Sequence, residues 1–398
     1  MDNLDGSADK GVDLISNTLP SIVYERSLDS LPIDMEYACI FSFIEYDRRR
    51  NDIYRNSKYL SFNKFLWPMI IIQVGLENYI FIDNISFFSL QYKIHEFENI
   101  ELLTNVNEMI FDDYEEIQRN ITIIKNFLSN ISVKNKKING LIEPEILKGI
   151  SPLIKLGSPD FSLNSIKFQY DETQLEPTEI SNQYATSLKK INRNVENIEN
   201  ILKYLNESKD TILELLSRKQ SKNVNNVIFD TNKLMNSLEL NDINDNIKFC
   251  LNAYNELYNV LKSEMNYLNR WSVAGSVIGV ILPIIRIWFP LYIAEIITDS
   301  GDTRWIVAPP LIFQPKTERE IPLDVFHPSF LTSLKDRVES NFKYLQNFIS
   351  NDKGINFFSI KEVNRFISEG FTKLYSDSLM NNKLLNHIQK VWNKNVKI

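Results

Sequence analysis

A chain of 398 residues, 43% hydrophobic and 12% aromatic, has the length for two or three domains and the apolar content for a sizeable core. Its net charge of −7, with no long block of one sign, lacks the overall basic footprint of a nucleic-acid binder. Glycine occurs only 11 times, and neither GxGxxG nor GxxxxGK[ST] is present, which argues against loops that cradle phosphate.

Residues 1–34 open with "MDNLDGSADKGVD", acidic and polar, the opposite of a signal peptide. Cys39 and Cys250 lie far apart outside any motif, so no disulfide framework is expected and a cytoplasmic location is the default. His95, His327 and His387 are isolated from other ligand types, and neither a metal nor another cofactor or small-molecule ligand is indicated.

The first lobe is expected over residues 35–132. "YACIFSFIEY", Tyr37 to Tyr46, reads as a strand. It runs into "EYDRRRND", where Arg48, Arg49 and Arg50 are candidate contacts for phosphate or an acidic partner, although a solvated loop neutralised by its own carboxylates fits better. "FLWPMIIIQV" followed by "GLEN" and "YIFID" reads as a β-hairpin, with Pro68 near its start, where a missing ladder donor is tolerated. Ile110, Tyr114, Ile117, Ile121, Ile124, Leu128 and Ile131 keep helical spacing and predict an amphipathic helix over about 105–131.

Residues 133–178 read as a connector containing proline and glycine, opening with "VKNKKING" as a basic linker. Over 179–271 proline and glycine are absent, and Leu188, Ile191, Val195, Ile198, Leu202, Leu205, Ile212 and Leu216 recur at three- and four-residue spacing. Ile247, Cys250, Tyr254, Leu257, Leu261, Met265 and Leu268 form a second such run, which predicts an antiparallel coiled-coil hairpin.

In the second lobe, 272–356, "IWFPLYIAEI" echoes the first hairpin, with 222 positions separating Pro68 from Pro290. A further helix is expected from Leu331, Leu334, Val338, Phe342, Leu345 and Ile349. Residues 357–398 predict two closing helices, the first entered through the capping box "SIKE". The fold class is therefore α+β and helix-dominated: two similar hairpin-and-helix lobes forming a head, with the coiled-coil hairpin inserted between them.

Three functions are compatible with this organisation. The leading one is a non-enzymatic scaffold or adaptor that engages a protein partner or a second copy through the coiled coil. A second is a membrane-associated protein, peripheral or anchored through 272–294, with Ile284, Ile285, Trp288 and Phe289 in contact with lipid. Arg286, costing about 3 kcal/mol at mid-bilayer on insertion scales, and two prolines weigh against a span there. A third is a nucleic-acid-processing enzyme or accessory factor with a cleft between the lobes, the arginines on phosphate, and Glu45, Asp47 and Asp83 as the only plausible carboxylates for a metal. No serine, cysteine or histidine catalytic pattern is legible, which favours the first reading over an enzyme.

Overall fold

The computed structural model describes residues 16–27, 29–85, 87–97, 114–157, 166–167, 176–222, 231–278, 284–315, 320–341 and 356–396. In chain order these hold β1 (Ser16–Thr18), β2 (Ile22–Tyr24), α1 (Ile33–Arg50), β3 (Lys58–Val74), β4 (Asn78–Asp83), β5 (Ser89–Phe97) and α2 (Tyr114–Leu128). There follow β6 (Ile131–Asn139), α3 (Pro144–Ile154), β7 (Ile166–Lys167), α4 (Pro177–Lys222), α5 (Thr231–Asn269) and β8 (Val273–Ala274). The chain closes with β9 (Ile284–Ile297), β10 (Thr303–Ala308), β11 (Leu311–Phe313), β12 (Leu323–Val325), α6 (Pro328–Ser340), α7 (Lys361–Ser376) and α8 (Asn382–Asn395). Most of the polar N-terminal segment, Ile110, residues 223–230 between the two long helical runs, the apolar stretch 279–283 and the expected helical positions Phe342, Leu345 and Ile349 lie outside the described residues.

The chain divides into two compact units. One comprises residues 1–90, 139–181 and 271–398; the other comprises 91–138 and 182–270. The first is organised by a seven-stranded sheet in which the two echo segments pair with each other. β3 and β9 run antiparallel with Trp67 opposite Phe289, Leu66 opposite Pro290 and Pro68 opposite Trp288. β4 extends β3 on its other side and β10 extends β9. Short strands complete the pattern: β7 and β1 pair in parallel with Phe65–Leu66 and with Arg286, Ile287 and Trp288, and β8 pairs antiparallel with β4. Trp67 and Phe289, each the residue before the proline of its segment, thus lie directly opposite each other.

Side chains alternate across a strand, and both faces of this sheet are buried. Phe65, Trp67, Met69 and Ile71 of β3 join Ile285, Ile287, Phe289, Leu291 and Ile293 of β9 in one core. That core is covered by α3 and α6, where a methyl group on Gly149 would lie 2.7 Å from the Phe330 ring. Phe62, Tyr292, Ala294 and Ile296 face the other way, toward α1, α7 and α8. There Gly370 brings α7 onto α1 so closely that an added Cβ would collide with the Asp34 carbonyl. Each fully buried leucine- or phenylalanine-sized side chain contributes about 1.5–3 kcal/mol.

Three local expectations are corrected. "YACIFSFIEY" belongs to helix α1, not to a strand. Its run Tyr37–Phe41 is buried without interruption, so the apolar pattern carries no helical period, while Asp34 and Glu36 in the first turn and three arginines in the last match the helix dipole. "VKNKKING" is mostly strand β6, not a linker. The capping box is not formed, because α7 begins after Ile360 with no side-chain cap.

In the second unit, α4 and α5 bury Ile191, Val195, Ile198, Leu205 and Ile212 together with Ile243, Ile247, Cys250, Tyr254, Leu261 and Leu268. Of the helix expected over 105–131, residues 105–113 lie outside the described residues, Ile131 begins β6, and the helical part Tyr114–Leu128 belongs to this unit. Described as α2, it bonds to both long helices: Asn120 donates to the Tyr204 hydroxyl at 3.1 Å, and the Tyr254 hydroxyl donates to the Ile124 carbonyl at 2.8 Å. Ile201 and Tyr204 are buried beside the narrow seam, as a third helix requires.

Candidate functional sites

Arg48, Arg49 and Arg50 end α1, but they do not act as one patch. Glu45, one turn earlier, is fully buried and receives Arg48 through two bonds, Nε at 2.7 Å and Nη2 at 2.8 Å. Arg48 Nη1 donates to the carbonyls of Arg55 and Ser57 at 2.9 and 3.0 Å, closing the loop that leads into β3. Tyr59 donates to the same carboxylate at 2.8 Å, and burial pushes its own pKa well above the ordinary phenol value. Arg49 is exposed, and Arg50 bonds the Tyr46 hydroxyl at 3.1 Å while lying over its ring. The guanidinium best placed to grip phosphate is thus occupied inside the fold.

The carboxylates Glu45, Asp47 and Asp83 are not brought together. Glu45 serves Arg48, and Asp47 pairs with Lys335 at 2.7 Å. Asp83 ends β4 and accepts from Trp67 Nε1 at 2.6 Å and from the amides of Ile85, Phe87 and Phe88. Complete burial nevertheless raises its pKa to about 6, against the lowering effect of these donors. Gly140 meets this loop in a left-handed conformation, accepting from the Asp83 amide at 2.7 Å and donating to the Phe88 carbonyl at 2.8 Å. Among the described residues no group of three or more His, Cys, Asp or Glu is arranged to hold a metal.

Sequence reasoning missed a second buried charge. Lys64 of β3, 3% exposed, donates to Glu36 Oε1 at 2.9 Å, and the Tyr292 hydroxyl donates to the same oxygen. The ammonium also lies 5.2 Å from the Tyr292 ring centroid and 6.0 Å from that of Tyr37. A lysine within the apolar run "FNKFLWP" was the available signal, since burying such a charge demands a partner. The geometry ties α1 to the sheet between β3 and β9.

The proposed lipid-contact residues belong to β9, in the interior of the sheet. Phe289 and Ile285 are buried in the core beneath α3 and α6, while Ile284 and Trp288 are half-buried on the opposite face. No described helix is long and apolar enough to cross a membrane.

Open surface is found elsewhere. A cleft of about 340 Å³ is lined by Tyr24, Arg26, Phe313 and Gln314 at the edge of the small sheet β12–β11–β2. In the second unit, β5 and β6 form a two-stranded ribbon. β5 is pinned to the long helices by Tyr92 with Ser187 at 2.6 Å, His95 Nδ1 with Glu264 Oε1 at 2.9 Å, and Asn194 donating to the His95 carbonyl at 2.9 Å. Burial raises the Glu264 pKa, which His95 opposes. Glu96 bonds Lys134 and Lys190, and these hydrogen bonds lower its pKa to about 2. The same unit leaves Leu213, Phe249, Val260 and Tyr267 each more than 40% exposed on its long helices.

Comparison with family models, curated proteins and solved structures finds no match to this chain.

Proposed function

We propose that this chain is a non-enzymatic interaction protein, a subunit or adaptor of a larger assembly, and that it engages its partner through the helical hairpin α4–α5. The observation that carries this reading is surplus apolar surface. The two helices bury their own seam, yet Leu213 (42%), Phe249 (53%) and Val260 (44%) remain exposed on them. Exposed aromatic side chains such as Phe249 are enriched at the core of protein interfaces. In this reading the hairpin is a coiled-coil insertion between the two halves of an internal duplication. The buried charges in the sheet unit support the same division of labour, because Glu45, Arg48, Glu36 and Lys64 are consumed in holding helices to strands.

Light scattering of the full chain, with a cross-linking survey of residues 182–270, tests the proposal. A discrete oligomer or a partner linked through that unit is expected; an inert monomer without such links would overturn it.

A further inference from the structure

A strand followed from Val133 to Lys137 is exposed at five successive positions, so neither of its faces is covered there. Those positions include Lys134, Lys136 and Lys137, and Lys93 of the neighbouring strand is exposed as well. Gln91, Tyr92, Lys93, Asn135, Lys136 and Lys137 surround a cleft of about 440 Å³ in the ribbon. Glu96 is the acidic group set among these lysines: Lys134 bonds it, Lys136 lies 3.9 Å away, and Lys190 approaches at 2.8 Å from the helix behind. Three ammonium groups, those of Lys134, Lys136 and Lys190, therefore lie within 4 Å of Glu96, and Lys93 and Lys137 line the adjoining cleft, on a chain whose net charge is −7.

We propose that the β5–β6 ribbon is a docking surface for the sugar-phosphate backbone of duplex DNA. Lysines on an edge strand also guard against unwanted strand pairing. Here Lys136 and Lys137 project from opposite faces, whereas Lys134 and Lys136 share one face at a separation of about 6.7 Å. Positive charge along the open edge of a ribbon suits a groove, whose two walls are both phosphate. The major groove of B-form DNA, about 12 Å wide, admits a two-stranded ribbon, while the narrow major groove of A-form RNA does not. Recognition is independent of sequence. Point-charge lysines grip phosphate, and the ribbon's aromatic residues are engaged within the fold: Tyr92 is 8% exposed with its hydroxyl bonded to Ser187, and the Phe97 ring lies 5.7 Å from that of Phe127.

The inference stands on different residues from the proposed protein interface and is tested separately. Fluorescence anisotropy of the full chain is followed with a labelled 20-base-pair DNA duplex, a duplex RNA of the same length and a single-stranded DNA, across about 25–200 mM salt. Binding to the DNA duplex is expected, weakening steeply with salt and tighter than binding to the RNA duplex. Replacing Lys93, Lys136 and Lys137 together by glutamine removes three phosphate contacts, so the log–log salt slope should fall by about 2.7. Affinity at the lowest salt should fall at least tenfold. The variant's far-UV circular dichroism and melting midpoint, matched to the wild type, establish that it is folded. An Arg49→Gln/Arg50→Gln variant should bind as the wild type does. No salt-dependent binding to the DNA duplex, binding that survives the lysine substitutions, or binding to anionic lipid vesicles in place of DNA would each overturn the proposal.

Discussion

"EYDRRRND" and "VKNKKING" each place three cations within a few residues, and the fold treats them oppositely. Arg48 is drawn inward because Glu45 stands one helical turn before it, giving a buried carboxylate within reach of a guanidinium fork. Lys134, Lys136 and Lys137 sit on a strand with both faces open, and the glutamate nearest them leaves the cluster strongly positive. Density of charge in a sequence is therefore a poor guide to availability. What decides is whether the local periodicity supplies an internal acceptor.

Stability measurements can break that comparison. Arg48→Ala leaves Glu45 buried without its counter-ion and should cost about 3–5 kcal/mol in denaturant unfolding. Arg49→Ala and Arg50→Ala should each stay within about 0.5 kcal/mol. Equal losses at all three positions would refute the distinction.

A second test uses the Asp83 clasp. Its folded pKa of about 6 lies above its ordinary value of 3.8, so the folded state holds this proton more tightly than the unfolded chain. The contribution to stability is full below about pH 4, is lost as pH rises toward 6, and is flat above; over that window it amounts to roughly 3 kcal/mol. Asp83→Asn removes the titration. The difference in unfolding free energy between wild type and variant should therefore shrink as pH rises from 4 to 6. A difference that is constant over this range would contradict the assignment.

Smaller effects sharpen the picture. Gly370→Ala forces α7 away from the Asp34 carbonyl and should destabilise by about 1–3 kcal/mol, read as a lowered midpoint. Replacing Lys136 and Lys137 by glutamine should change stability by no more than about 0.5 kcal/mol, since both are exposed.

The hairpins β3–β4 and β9–β10 were legible because proline, turn glycines and long β-branched runs mark strands strongly. The closing helices were legible too, since Val363, Ile367, Phe371 and Leu374 keep a clean helical period. α1 was not, because a helix surrounded by core loses its period: Tyr37, Ala38, Cys39, Ile40 and Phe41 are all fully buried. β6 escaped notice for the converse reason, being polar on both faces and so without alternation. Pairing of the echo strands with each other lay beyond local pattern altogether, because it joins residues more than 200 positions apart. Of the candidate contacts, the three arginines were visible as charge, but Glu45 as the acceptor of Arg48 became visible only once α1 was a helix.

The proposal that the helical hairpin of the second unit is an interaction surface is tested most directly by site-specific photo-crosslinking of the full chain in cells. The probe replaces Leu213, Phe249 or Val260, with Leu76 and Tyr375 of the sheet unit, 93% and 52% exposed, as controls. The account predicts one discrete adduct from the hairpin positions and none from the controls. No adduct from the hairpin, or equal labelling at Leu76 and Tyr375, would contradict it.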